Sequence, residues 1–260
     1  MNASFLLING NTTAALTERL TALATAYLPS GSQVQGVSAA IGQEYIASRS
    51  ASAVAGYAVL DAIASALAEG LMPDAAIIAC FGEPGIAAAR EILPCPVVGM
   101  AEASVLTALQ LGSRYAIVTA GERWPAMLED YLRGIGLDQR LAGIVKVPGR
   151  ALDLAARPDE ARAAVRSAID TAIDRHGAEV VIIGGAALTG IAKQVQDTVD
   201  VPLVDSLEAA LAQGLALALL APTKARRGSY AAAPAMSGHG LTPALANLLS
   251  TLPVMRSPVR

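Results

Sequence analysis

The segment DAAIIACFGEPGIA, residues 74–87, returns 105 residues later as EVVIIGGAALTGIA, residues 179–192. Ile77, Ile78, Gly85, Ile86 and Ala87 fall on Ile182, Ile183, Gly190, Ile191 and Ala192. Each copy reads as an apolar strand, a glycine-containing turn and an alanine-rich helix. The match continues: PVVGMAEA (96–103) pairs with PLVDSLEA (202–209), and FLLIN (5–9) resembles YAIVT (115–119). A chain that repeats strand, turn and helix in the same order must bury the same apolar faces twice, so it folds into two similar halves.

The rest of the chain obeys the same alternation. Strands are expected at 4–9, 33–37, 75–79, 97–99, 115–119, 143–147, 180–183 and 202–204. Helices are expected at 12–27, 50–68, 84–93, 103–111, 124–134, 158–176, 189–198 and 207–220. Strands alternating with helices of this length form βαβ units and parallel sheets. The strands are apolar throughout, as required when helices cover both faces. The expected fold is therefore α/β: two pseudo-symmetric parallel-sheet lobes, each a flavodoxin-like half. The first lobe takes residues 1–100 plus about 206–260, and the second takes 101–205. Ligands of such sheets sit beyond the carboxyl ends of the strands. Two facing rims then enclose a cleft. Asn9, Cys80, Thr119 and Gly185 all end expected strands, and the repeat pairs Asn9 with Thr119 and Cys80 with Gly185.

Composition narrows the functional classes. Hydrophobic residues reach 53%, but aromatics are only 3% and alanine carries much of the total, which suits helices laid closely on sheets. With a net charge of −3, nothing in the composition argues for nucleic acid or an anionic membrane as partner. The opening MNASFLLING lacks the basic region of a signal peptide, so a cytoplasmic location is expected. The apolar run AALAQGLALALLA (209–221) is too short to span a bilayer and reads as a buried helix. In that setting Cys80 and Cys95 are expected as free thiols.

The segments LLINGNTT, CFGEPGIAAARE, PVVGMAEAS, AIVT, GAEVVIIGGAALTGIA, PLVDSLEAA and TKARRGSY resemble, in that order, the aspartate/glutamate/hydantoin racemase superfamily, in its hydantoin racemase branch. The resemblance implies two pseudo-symmetric lobes, a small-molecule substrate of amino-acid, hydantoin or carboxylate type, no metal or organic cofactor, and assembly into homo-oligomers. It also implies one cysteine on each side of the cleft. One thiolate removes the proton at the carbon α to a carbonyl, and the opposite thiol delivers a proton to the other face. Cys80 matches the first of these thiols. The second position reads Gly184-Gly185-Ala186, so Gly185 stands where the resemblance calls for cysteine.

A thiol can serve as acid or base when its surroundings tune it. At a strand end ahead of a helix, Cys80 is expected to gain thiolate character from backbone N–H groups and the helix dipole. Asn9, Asn11 and Thr119 are expected to hydrogen-bond a carboxylate or ring amide. The N–H groups of Phe81, Gly82 and Ala186 are expected to stabilise a developing enolate. Simpler roles compete: a buried thiol for Cys80, helix capping for Asn9, Asn11, Glu102 and Glu208, and a structural role for Cys95. Thr189, Glu83, His239 and His176 are weak substitutes for the missing thiol. Glu83 is expected at the cleft mouth, and Cys95 and His176 at the far end. Three readings stay open. One is a racemase using Cys80. Another is a one-thiol enzyme, either an arylmalonate-type decarboxylase, a cysteine hydrolase or a cis–trans isomerase. The third is a silent binding protein.

Overall fold

The computed structural model describes residues 2–149, 157–231 and 234–251. The first sheet comprises β1 (Ser4–Asn9), β2 (Gln33–Ser38), β3 (Ala75–Ile78) and β4 (Val97–Gly99). The second comprises β5 (Tyr115–Ala120), β6 (Leu141–Val147), β7 (Val180–Gly184) and β8 (Leu203–Asp205). All pairings are parallel, and the strand orders are β2-β1-β3-β4 and β6-β5-β7-β8. The two orders are the same once the repeat is taken into account. All eight expected strands are present, each within about two residues of its expected bounds.

The helices are α1 (Ala14–Tyr27), α2 (Arg49–Ala68), α3 (Ile86–Ile92), α4 (Met100–Ala108), α5 (Trp124–Gly134), α6 (Pro158–His176), α7 (Ile191–Val195), α8 (Ser206–Leu220) and α9 (Pro243–Ser250). The short helices α3 and α7 start later than expected. Gly85 (φ 75°) and Gly190 (φ 89°) precede them in the left-handed region, which an L side chain resists, and so reset the chain at matched positions. Helix α9 was not expected, although Thr242 followed by Pro243 is a start signal: the Thr242 hydroxyl accepts from Leu245 N–H. Helix α2 is long and apolar enough to cross a bilayer by length and composition alone. Here it covers β1 and β2, and α9 packs against it.

The last helix of each half crosses over. Helix α4 follows β4 yet packs mainly on β7, and α8 follows β8 yet packs mainly on β3. The two helices also pack on each other, so the sheets share a continuous interior. Strands β3 and β7 are buried along their whole length. The switch in strand order lies between β1 and β3 in one sheet and between β5 and β7 in the other. These are the places where adjoining loops diverge and leave a crevice.

Candidate active site

Both crevices open into one cavity of about 270 Å³. The first lobe contributes Asn11, Arg19, Tyr45, Ile46, Cys80 and Phe81. The second contributes Thr119, Ala120, Trp124, Gly185, Ala186 and Leu188. The walls are largely hydrocarbon, so the few polar groups act in a medium that strengthens their interactions.

Six of the eight expected site residues line this cavity: Asn11, Cys80, Phe81, Thr119, Gly185 and Ala186. Asn9 and Gly82 do not. Asn9 is fully buried beneath the wall. Its amide nitrogen donates to Asn11 Oδ1 at 3.0 Å and to Thr17 Oγ1 at 3.0 Å, and its oxygen accepts from Asn11 N–H at 3.2 Å. The loop's own polar groups thus satisfy Asn9, which holds Asn11 in place rather than meeting a ligand. Asn11 Oδ1 also accepts from Thr13 N–H at 2.9 Å, which leaves its NH₂ donors for the cavity.

Gly82 is a glycine for steric reasons. A Cβ there would lie 2.3 Å from Trp124 Cη2, so the indole of the second lobe rests directly on the turn after Cys80. The reverse contact also exists. A Cβ on Gly184 would lie 2.5 Å from Phe81 Cε1, so the ring next to Cys80 rests on the second lobe's turn. Arg19 ties the lobes together further by donating to Ala187 O and Thr189 O, at 3.3 and 2.7 Å.

Cys80 lies on the cavity wall and is 9% exposed. Burial pushes its thiol up to about 11, the N–H groups of Gly82 and Glu83 pull it down, and the Glu83 carboxylate pushes it up. The expectation of a favoured thiolate is therefore overturned for the resting site. Helix α3 begins only at Ile86 and has seven residues, so its dipole does little for a sulfur in an apolar wall.

Glu83 does not reach the cleft mouth. It is buried in a left-handed backbone conformation (φ 49°), and its carboxylate accepts from the N–H groups of Ala101 and Glu102 and from the Tyr131 hydroxyl. Burial raises it to about 7, opposed by those hydrogen bonds. Gly99 leaves room for it, since a Cβ there would lie 2.1 Å from Glu83 Cδ. The second lobe fills the same need differently. Asp205, aligned with Gly99, accepts from Leu207 N–H, Glu208 N–H and Gly190 N–H. Glu102 and Glu208 both lie in first turns, and each also ion-pairs with a base on the preceding short helix, Arg90 and Lys193 respectively.

Gly185 has φ +117°, and a Cβ there would meet only Thr119 Oγ1, at 3.8 Å. The space is open, but the backbone is one that L side chains avoid. The remaining substitutes lie elsewhere. Cys95 lines a separate cleft with Lys224 and Tyr230, beyond the amino end of β4. His176 packs against Gly143, and His239 is exposed. The Thr189 hydroxyl is buried without a partner and is not on the cavity wall. Sequence reasoning missed Tyr45, Trp124 and Arg19. Tyr45 and Trp124 are among only nine aromatic side chains in the chain, and that scarcity was the available signal.

The pattern of the Asp/Glu/Hydantoin racemase family matches residues 5–214. The chain belongs to that family. It is an isomerase of the racemase type. A hydantoin racemase of Paenarthrobacter aurescens is 32% identical over 227 residues, covering 86% of this chain and 95% of that one. An allantoin racemase from Pseudomonas fluorescens superposes with a TM-score of 0.86 at 31% identity, covering 91% of this chain and 100% of that one. A second allantoin racemase, from Klebsiella pneumoniae, gives 0.86 at 28% identity, covering 94% and 99%. The two four-stranded parallel sheets of this chain therefore match the two-lobed architecture of those racemases.

Proposed function

We propose that this family member moves a proton at the carbon α to a carboxylate or amide carbonyl, with Cys80 as an acid/base thiol and a hydantoin-type ring as substrate. The observation that carries the reading is the position of Cys80. It is the thiol on the wall of the inter-lobe cavity, at a turn whose Gly82 and Glu83 N–H groups favour its thiolate. The relatives are named for hydantoin and allantoin, which share a five-membered ring whose C5 carries the α-hydrogen between the C4 carbonyl and the ring nitrogen N1.

On this reading the free NH₂ donors of Asn11 meet a ring carbonyl, and Thr119 meets the ring from the second lobe. Phe81 N–H and Ala186 N–H take the negative charge that develops on the enolate oxygen. Removing one such donor typically costs on the order of 10²–10³ in rate. Gly82 is reassigned, because its N–H serves the Cys80 sulfur. Cys80 begins as a thiol, so proton abstraction starts from the minority thiolate held by Gly82 and Glu83 N–H. A small-molecule substrate follows from the family; a cytoplasmic setting and self-association go with the proposal, and light scattering measures the latter.

The test is incubation of an enantiopure 5-substituted hydantoin in D₂O at neutral pH, with an enzyme-free control. The α-hydrogen should exchange, and Cys80→Ser should slow that exchange by at least about 100-fold, the usual size of a general acid–base contribution. Exchange unaffected by the substitution would remove Cys80 from the chemistry. Gly185 supplies no side-chain proton, which favours one-thiol chemistry as the second reading. Release of CO₂ from an α-aryl malonate without hydantoin exchange would establish that alternative.

A further inference from the structure

We propose that Tyr45 is the second proton-transfer group of this site, brought from the first lobe's β2–α2 loop to the rim of the second lobe. The proposal rests on the Cys80 reading and asks what replaces the proton that Gly185 lacks. Residue 45 precedes Ser48, the cap of α2, so the start of that helix fixes the loop: Ser48 Oγ accepts from Ala51 N–H at 3.2 Å. From there the phenol crosses the cleft. Its hydroxyl lies 3.4 Å from Ala120 O, and a Cβ on Gly121 would lie 2.7 Å from it. Ala120 ends β5, beside the strand that leads to Gly185.

An inventory of the cavity wall favours this group. The Arg19 guanidinium is bonded to two carbonyls of the second lobe. Glu44 is exposed at the rim. Amides and the Thr119 alcohol are far weaker acids than a phenol, whose ordinary value is near 10. Tyr45 and Cys80 are therefore the two weak acids in the apolar wall, and burial makes both harder to ionise. They also sense each other: a thiolate at Cys80 makes the phenol harder to ionise, on top of the larger effect of burial. Against both effects, the nearby Trp124 indole N–H favours a phenolate. The phenol's own proton has only the long contact to Ala120 O, so it is free to turn into the cavity.

The step balances. The Cys80 thiolate takes the α-hydrogen, forming S–H as C–H breaks and leaving the electron pair in the enolate. The Tyr45 O–H breaks as its proton forms the new C–H bond, leaving a phenolate that the neighbouring Trp124 indole N–H favours. That thiol–phenolate state is the starting state for the opposite enantiomer, and it returns to thiolate and phenol by proton exchange with water.

The experiment compares parent, Tyr45→Phe and Cys80→Ser on an enantiopure 5-substituted hydantoin in D₂O. Proton NMR reads α-exchange and chiral chromatography reads inversion. The parent should exchange and invert. Tyr45→Phe should lose inversion by about 100-fold or more while exchange with retained configuration continues at Cys80. Inversion by Tyr45→Phe within about 3-fold of the parent overturns the proposal and leaves the Cys80 reading standing. A parent that exchanges without inverting does the same. A parent that neither exchanges nor inverts overturns the Cys80 reading and this proposal with it. If Tyr45→Phe does not fold, 3-fluorotyrosine at position 45 supplies a more acidic phenol of nearly the same shape. It should change the inversion rate without changing the Cys80 alkylation rate, and an unchanged inversion rate overturns the proposal.

Discussion

Two adjacent glycines, Gly184 and Gly185, are glycines for opposite reasons. At Gly184 an added Cβ has no room, because the Phe81 ring is 2.5 Å away. At Gly185 it has room, but the φ of +117° opposes it. Gly184→Ala should cost about 1–3 kcal/mol by overpacking. Gly185→Ala should cost about 1–3 kcal/mol by backbone strain, with the cavity otherwise intact. Urea denaturation of both variants measures these costs. A Gly185→Cys variant carries the same strain, so any gain in racemisation comes with a lower denaturation midpoint. Cys80 makes a further prediction at this scale. Its thiol sits near 11, so alkylation by iodoacetamide should be slow at neutral pH and rise steeply toward that value. Peptide mass spectrometry separates it from Cys95. Fast labelling of Cys80 near pH 7 would contradict the burial argument.

At the scale of an element, α4 begins three residues earlier than its sequence predicts. Its early start has a long-range cause: the Glu83 carboxylate accepts from Ala101 and Glu102 N–H, satisfying donors that the helix itself leaves open. The same carboxylate links folding to pH. Its folded value of about 7 lies above the ordinary 4.5, so the folded state holds the proton more tightly than the unfolded state. Stability is then unaffected by this group below about 4.5, falls as pH rises from 4.5 to 7, and levels off above. The loss should be on the order of 3 kcal/mol. Glu83→Gln should flatten that slope in denaturation curves taken between pH 4.5 and 8. A slope unchanged by the substitution would assign the dependence to another group. The second lobe, with Asp205 in the matching role, shows that the repeat preserves a carboxylate at this helix start while changing the residue that supplies it.

At the scale of the molecule, contacts that cross the cleft keep the two sheets at a fixed separation. Phe81 rests on Gly184, Trp124 on Gly82, and Arg19 bonds to the carbonyls of Ala187 and Thr189. We assign 1–100 with about 206–260 to one lobe and 101–205 to the other; the crossed packing of α4 and α8 supports this, and residues 252–260 lie outside the described residues. Arg19→Ala removes a lobe-to-lobe tie without touching the thiol. It should raise KM more than it lowers kcat, because it loosens the cavity rather than the reacting group. Steady-state kinetics on the hydantoin separates the two effects, and a pure kcat loss would place Arg19 in the chemistry.

Sequence alone determined the duplication, the parallel strands, the strand-end position of Cys80 and the absence of a matching thiol at Gly185. These are local matters: apolar runs, turn glycines and repeat spacing are written within a few residues of the elements they create. The cavity positions of Asn11 and Thr119 followed from the same logic, since they end or follow strands. Only the tertiary structure decided that Asn9 is sealed beneath the wall, that Glu83 turns away to cap α4, and that Tyr45, Trp124 and Arg19 reach across the cleft. Each of those outcomes depends on neighbours from 18 to more than 100 residues away, apart from the local loop around Asn9. The raised Cys80 thiol belongs to the same class, because burial by two lobes, rather than the residues beside it in the chain, sets the cost of its charge.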